Sequence, residues 1–319
     1  LTWRATTTQA PNRINVVINQ QTKNTKSLTE SFSKISNDSG AVPHERFLQI
    51  TKELDRLIGM KSIKDLIYEI YALLYINQCR RKEGLKTDGQ VLHMIFKGNP
   101  GTGKTTVARI VGKLFREMGV LSKGHLVEVE RADLVGEYIG HTAQKTREHI
   151  KKAMGGILFI DEAYSLARGG DKDFGREAID CLVKGLEDHR NDFILILAGY
   201  SEEMDDFLSS NPGLPSRFPI QVDFPDYLLD ELMQIAEMMV EEREYQFSSY
   251  ARQKLRKHLQ TKLSHSSRSF SNARHVRNLI EKSIRFQAVR LMQKQTPSKE
   301  DLITIGSDDL RCDSQHTRW

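Results

Sequence analysis

Residues Gly98-Asn99-Pro100-Gly101-Thr102-Gly103-Lys104-Thr105 complete a G-x-x-x-x-G-K-[ST] pattern, and few folds can present one. Its glycines let backbone N–H groups close around phosphate oxygens. Val91-Leu92-His93-Met94-Ile95-Phe96 reads as a short buried strand entering the loop. From Thr106 onward Val107, Ile110, Val111, Leu114, Phe115 and Met118 recur at helical spacing. Strand, loop, helix is the order that aims a helix N-terminus at bound phosphate. The pattern predicts a nucleotide site for ATP along Gly98–Thr106, with Lys104 on the β- and γ-phosphates and the Thr105 hydroxyl on Mg²⁺.

A second chemical signal follows in Ile157-Leu158-Phe159-Ile160-Asp161-Glu162, four apolar residues and then two carboxylates. A buried strand with this ending sets both acids at the carboxyl edge of a sheet, where open α/β folds bind ligands. Asp161 suits coordination of Mg²⁺, directly or through water. Glu162 suits deprotonation of an attacking water, since a carboxylate engaged by the metal cannot also serve as base.

Strands and helices alternate between about 91 and 225, which predicts a parallel sheet flanked by helices. The expected strands are 91–96, His125–Val129, Ile157–Ile160, Phe193–Ala198 and Ile220–Phe224. Residues 46–225 are read as one α/β nucleotide-binding domain and 226–310 as an all-helical lid. Residues 1–45, rich in Thr, Gln, Asn and Ser, are read as a weakly ordered extension with one strand-like patch at Ile14–Ile18. Residues 311–319 are read as a polar tail. Ahead of the sheet Phe47, Ile50, Leu54, Leu57, Ile63, Leu66, Ile67 and Ile70 keep helical spacing, and Arg80-Arg81-Lys82-Glu83-Gly84 closes that stretch with helix-ending chemistry.

Composition excludes more than it selects. With 39% hydrophobic and 28% charged residues in 319, the chain has the balance of a soluble globular protein. A net charge of +5 permits nucleic acid as a partner without demanding it. Cys79, Cys181 and Cys312 lie far apart, so neither a disulfide framework nor a zinc site is expected. No apolar run is long enough for membrane insertion, and Trp3-Arg4-Ala5 leads into threonines rather than a signal peptide. The expected location is the cytoplasm.

The phosphate loop, the Asp-Glu strand and the helical lid together resemble the AAA+ ATPases. That resemblance implies a P-loop NTPase core with a five-stranded parallel sheet, and roles for further residues. Leu57-Ile58-Gly59 looks like the segment that lies against adenine, which makes Ile58 and Gly59 part of the nucleotide site. In Asn211-Pro212-Gly213-Leu214-Pro215-Ser216-Arg217-Phe218, Arg217 stands where the family has its arginine finger. The finger completes a neighbouring subunit's site, which implies a ring, commonly a hexamer. A surface ion pair is the alternative for Arg217. Asn272-Ala273-Arg274 resembles the second sensor, with Arg274 near the γ-phosphate and Arg277 as its rival one turn on. At the end of the fourth strand Tyr200 stands where many members have a polar Asn or Thr.

In Asp133-Leu134-Val135-Gly136-Glu137-Tyr138-Ile139-Gly140-His141, the residues Tyr138, Ile139 and Gly140 resemble the pore loop of ring-shaped protein translocases. An aromatic side chain can grip extended polypeptide with little sequence preference. Packing of Tyr138 beneath the sheet edge is the alternative. These runs, with Asp161-Glu162-Ala163-Tyr164-Ser165-Leu166, resemble the AAA+ branch that holds the stage V sporulation proteins K of endospore-forming bacilli and the red-type Rubisco activases, the sporulation members being the nearer. The resemblance implies an ATPase that remodels or threads a protein client, with a role in spore maturation. The alternative is a motor or loader on nucleic acid, for which the basic stretch from Arg252 to Lys294 speaks. The acidic segment 226–245 beside it suits complementary faces between neighbouring subunits equally well.

Overall fold

Five short strands form one wholly parallel sheet in the order β2-β3-β4-β1-β5. The strands are β1 (Met94–Gly98), β2 (Leu126–Val129), β3 (Ile157–Ile160), β4 (Ile194–Gly199) and β5 (Ile220–Phe224). The computed structural model describes residues 50–311 apart from 88, 139, 170–172, 212 and 266–269. The expectations for the extension at 1–45, for Phe47, for Ile139 and for the tail beyond 311 lie outside the described residues.

Side-chain alternation assigns each strand residue to one of two layers. Met94, Phe96, Ile157, Phe159, Ile194 and Ile196 share one core with Ile63, Ile67, Val107, Val111, Leu114 and Phe115. Those partners come from α1 (Lys61–Lys82) and α2 (Lys104–Glu117). Ile95, Leu158, Ile160, Leu195 and Leu197 face the other way, onto Ile150, Ala178, Ile179, Leu182 and Met204. These partners belong to α4 (His141–Ala153), α5 (Gly175–Asp188) and α6 (Ser201–Ser210), with the single-turn α3 (Arg131–Leu134) between β2 and α4. A sheet covered on both faces needs unbroken apolar strands, and all four residues of β3 are buried. Helix α1 ends as its sequence predicts, with Arg80, Arg81 and Lys82 in the last turn.

A third core gathers Leu232, Ala236, Val240, Leu255, Leu259, Val276 and Ile280. It lies among α7 (Leu229–Glu241), α8 (Ser249–His265) and α9 (Asn272–Met292). The lid is helical, with one addition that the all-helical expectation lacked. Gln246–Phe247 (β6) pairs in parallel with Thr304–Ile305 (β7), just after the short α10 (Lys299–Ile303). Two residues a side are too few to carry a strand pattern. The buried Gln287 amide anchors the same segment by donating to the carbonyls of Asp301 (3.0 Å), Leu302 (3.0 Å) and Thr304 (2.9 Å).

Candidate functional site

The register of the sheet brings the expected site residues to one edge. Ile160 pairs with Leu197, which pairs in turn with Ile95. Asp161 and Glu162 therefore emerge at the level where β1 is about to open into the phosphate loop. The Asp161 N–H still bonds to the Val129 carbonyl at 3.0 Å, and the Glu162 N–H donates to Asp161 Oδ1 at 3.0 Å. Glu162 takes a left-handed backbone (φ 47°) and starts the 3₁₀ turn Ala163–Ala167. An unbranched carboxylate side chain in so sparsely populated a region marks a position set by its surroundings rather than by propensity.

The loop itself is built from short bonds. Thr102 Oγ1 donates to the Asn99 carbonyl at 2.7 Å, and Lys104 Nζ donates to the carbonyls of Gly98 (2.7 Å) and Asn99 (2.9 Å). Thr105 and Thr106 follow in the first turn of α2, behind Pro100 and Gly103. Burial lowers the pKa of Lys104; Asp161 opposes that effect, Arg274 adds to it, and Asp226 and Glu162 oppose it more weakly. One ammonium thus feels both strand-end carboxylates and a lid arginine, although these groups come from three separate stretches of chain. Burial of a cation between carboxylates is the electrostatic form of a site awaiting a polyanion and its metal.

The lid closes directly on the loop. Asp226 accepts from Asn99 Nδ2 at 3.0 Å and from Asn272 Nδ2 at 2.7 Å, while Asn272 Oδ1 accepts from the Tyr227 N–H at 3.1 Å. Asn272 is wholly buried and left-handed (φ 44°), a conformation that asparagine tolerates better than most residues. The next residue, Ala273, donates its N–H to the Gly101 carbonyl at 3.2 Å. Gly101 (φ 72°) has no room for a side chain there: a β-carbon would lie 2.2 Å from the Ser271 carbonyl oxygen. This contact sets Arg274 beside the loop, with its side chain exposed, and Arg277 is exposed as well. On the adjoining side Ile58 joins the lid core, Met60 packs on Gly103, and the Glu231 carboxylate of α7 packs on Gly59.

One site expectation, Arg217, falls at the opposite edge of the sheet. Arg217 donates to the Gly213 carbonyl at 2.6 Å and forms an ion pair with Glu187 near the end of α5. Both residues stand at the edge where strands begin, because α5 leads into β4 and Arg217 precedes β5. The five residues of β5 span about 16 Å, which separates Arg217 from its own phosphate loop. Tyr138 is 65% exposed, with its ring edge-on to His141, so the alternative of packing beneath the sheet edge fails. Gly140 caps α4 with a positive φ of 82°. Tyr200 caps α6 at the end of β4, its ring 6.0 Å from that of Tyr164.

The charge split in the lid is partly resolved within the chain. Arg252 pairs with Glu237 at 2.6 Å and Arg256 with Asp230 at 2.8 Å, because α8 lies against α7. Facing subunits are not needed to explain these pairs. Sequence reasoning missed Met60, Asp226, Tyr227, Glu231 and Asn272 as parts of the site. The available signal was their position, flanking the adenine segment, the end of β5 and the sensor arginine.

Among the described residues no helix is long and apolar enough to cross a membrane. The profile of the "ATPase family associated with various cellular activities (AAA)" matches residues 94–226, and that of the "AAA lid domain" matches 229–318. The chain is 59% identical over 309 residues to stage V sporulation protein K of Bacillus subtilis (strain 168), covering 96% of each chain. It is 45% identical over 268 residues to the chloroplastic ribulose bisphosphate carboxylase/oxygenase activase of Cyanidioschyzon merolae, covering 82% of this chain and 90% of that one. Protein CbbX of Cereibacter sphaeroides is 45% identical over 267 residues, covering 82% and 86%. The crystal structure of the FIGL-1 AAA domain in complex with ADP superposes with a TM-score of 0.55 at 16% identity, covering 80% of each chain, and so shares the fold. By sequence over nearly its whole length this chain belongs to the AAA ATPase family, a membership that implies ATP binding and hydrolysis.

Proposed function

We propose that the chain is an ATP-hydrolysing ring, hexameric in its working form, that remodels or threads a protein client. By its similarity to stage V sporulation protein K, the role is in spore maturation. The α/β unit at 46–225 is the motor and the unit at 226–310 its lid. ATP lies between Ile58-Gly59, the loop Gly98–Thr106 and Arg274. The donors fit a magnesium nucleotide: the Thr105 hydroxyl stands in the first turn of α2, and the Asp161 carboxylate ends β3 at the same edge of the sheet. Mg²⁺ commonly takes only one or two protein ligands and completes its shell with phosphates and water. Thr105 and Asp161 would hold it, and there it neutralises charge developing on the phosphates.

Glu162 orients the attacking water and takes its proton. Lys104, released from the Gly98 and Asn99 carbonyls, moves onto the phosphate oxygens. Arg217 cannot serve its own site across the sheet, which supports its action on a neighbouring copy. Movement of the lid about Asp226 and Asn272 would then shift the Tyr138–Gly140 loop along the channel.

The observation that carries the protein-client reading is the large exposed ring of Tyr138 on the loop before α4. The pairing of Arg252 and Arg256 with the lid's own carboxylates weakens the nucleic-acid reading. A Glu162→Gln chain loaded with ATP should retain a polypeptide from sporulating cells through a high-salt wash, resistant to nuclease and lost on adding Tyr138→Ala. Retained nucleic acid, indifferent to Tyr138→Ala, would replace this reading with that of a nucleic-acid motor.

A further inference from the structure

A cavity of 330 Å³ opens at the edge where β1 and β4 begin, on the far side of the sheet from the phosphate loop. Its floor is His93, 2% exposed and one residue before β1. The Leu195 N–H donates to His93 Nδ1 at 3.2 Å. Burial, followed by the nearby Arg190 charge, depresses the His93 pKa to about 4, so the ring is neutral at pH 7. With Nδ1 accepting, the single ring proton must sit on Nε2, for which the described residues supply no acceptor.

Other donors stand around that N–H. Arg81 and Arg190 line the same cavity, and so do Asn77 and Asn191. No aspartate or glutamate is among the described lining residues. Arg190 makes no hydrogen bond or ion pair among the described residues, and Arg81 bonds only to the Thr87 hydroxyl, at 3.0 Å. Two guanidinium groups that line one cavity with a buried neutral imidazole, and no acidic residue among the described lining, suit an anion. Leu92 and Met118 supply apolar wall beside them, which suits an organic body rather than a bare ion.

We propose that this cavity binds a small organic anion, with its phosphate or carboxylate group held by Arg81, Arg190 and Nε2–H of His93. The site is separate from the nucleotide site and does not depend on the client reading. It adjoins the turn of Arg217, because Phe218 packs its ring 6.1 Å from that of His93.

Equilibrium dialysis of radiolabelled inorganic phosphate against the full chain tests the proposal, with saturating Mg·ADP keeping the phosphate loop filled. The expected result is one saturable phosphate site, weakened about tenfold or more by Arg190→Ala and by Arg81→Ala, because each removes a charge-assisted hydrogen bond. Lys299→Ala, on the lid, leaves it unchanged. Competition by citrate supports a site open to carboxylates, and indifference to citrate supports one selective for phosphate. No saturable binding to the ADP-filled chain, or binding that survives both arginine substitutions, would overturn the proposal. Both arginines are exposed, so these variants can be compared without loss of the fold.

Discussion

The two edges of the central sheet are both rich in charge, yet they are built on different logic. At the edge where strands end, Asp161 and Glu162 follow β3 directly, and the phosphate loop follows β1. Parallel register alone aligns them, so one chain supplies the carboxylates, the lysine and the backbone cradle. At the edge where strands begin, Arg217 rests on Glu187 and the Gly213 carbonyl, with the phosphate loop of its own chain out of reach. On the proposed function the first edge is the reaction site of one chain, and the second would serve a neighbouring copy. If Arg217 acts on a neighbouring copy, the exposed Glu187 carboxylate holds it only weakly until that copy is present.

The largest expected effect breaks the comparison at Arg217. Arg217→Ala should lower ATP turnover by about 10³ to 10⁵, the range for loss of a transition-state arginine. Mixing it with Lys104→Ala should restore part of the rate. In mixed rings an intact loop of one variant meets an intact finger of the other. Steady-state phosphate release measures both, and an absence of complementation would place the arginine's action within its own chain. Next comes Glu162→Gln, expected to cost about 10² to 10⁴ in turnover while a fluorescent ATP analogue still binds. A rate near that of the parent chain would remove Glu162 from the role of base.

The edge where strands begin should also govern acid stability. His93 has its pKa depressed to about 4 in the folded chain, against about 6.5 unfolded, so the unfolded chain takes up a proton first as pH falls. Its contribution is full above pH 6.5 and is lost as pH drops towards 4, roughly 3 kcal/mol in all. His275, lowered by burial and by His258, adds to the same slope. Denaturant titrations between pH 7 and 4 should show the decline, and His93→Gln should flatten the greater part of it. The smallest effect belongs to the lid hinge. Asn272→Ala strands the Tyr227 N–H and one side of Asp226, at an expected cost of about 1–3 kcal/mol in urea unfolding. An unchanged midpoint would mean that water or a shifted Asn99 takes over those bonds.

How much of the site was legible depended on how far apart its partners lie in the chain. The phosphate loop, the Asp161-Glu162 pair and all five strands were readable, because each is a contiguous run whose apolar pattern continues into its polar ends. The Asp226–Asn272 latch was not, since it joins residues 46 positions apart, and the Asn99–Asp226 contact spans 127. Short polar side chains that meet across such distances leave no periodicity. The exposure of Tyr138 and the pairing of Arg252 and Arg256 within the lid were open alternatives until the packing of neighbouring elements closed them.

Local chemistry, then, determined what kind of ligand this chain can hold. Glycines able to bend around phosphate, a lysine to meet charge and two acids at a strand end are properties of adjacent residues, and they survive without knowledge of the fold. Only the tertiary structure decided which groups share that site, which arginine is barred from it and which residues line a cavity with His93. Those outcomes depend on strand order and helix packing, which bring together residues whose separation along the chain carries no trace of their meeting.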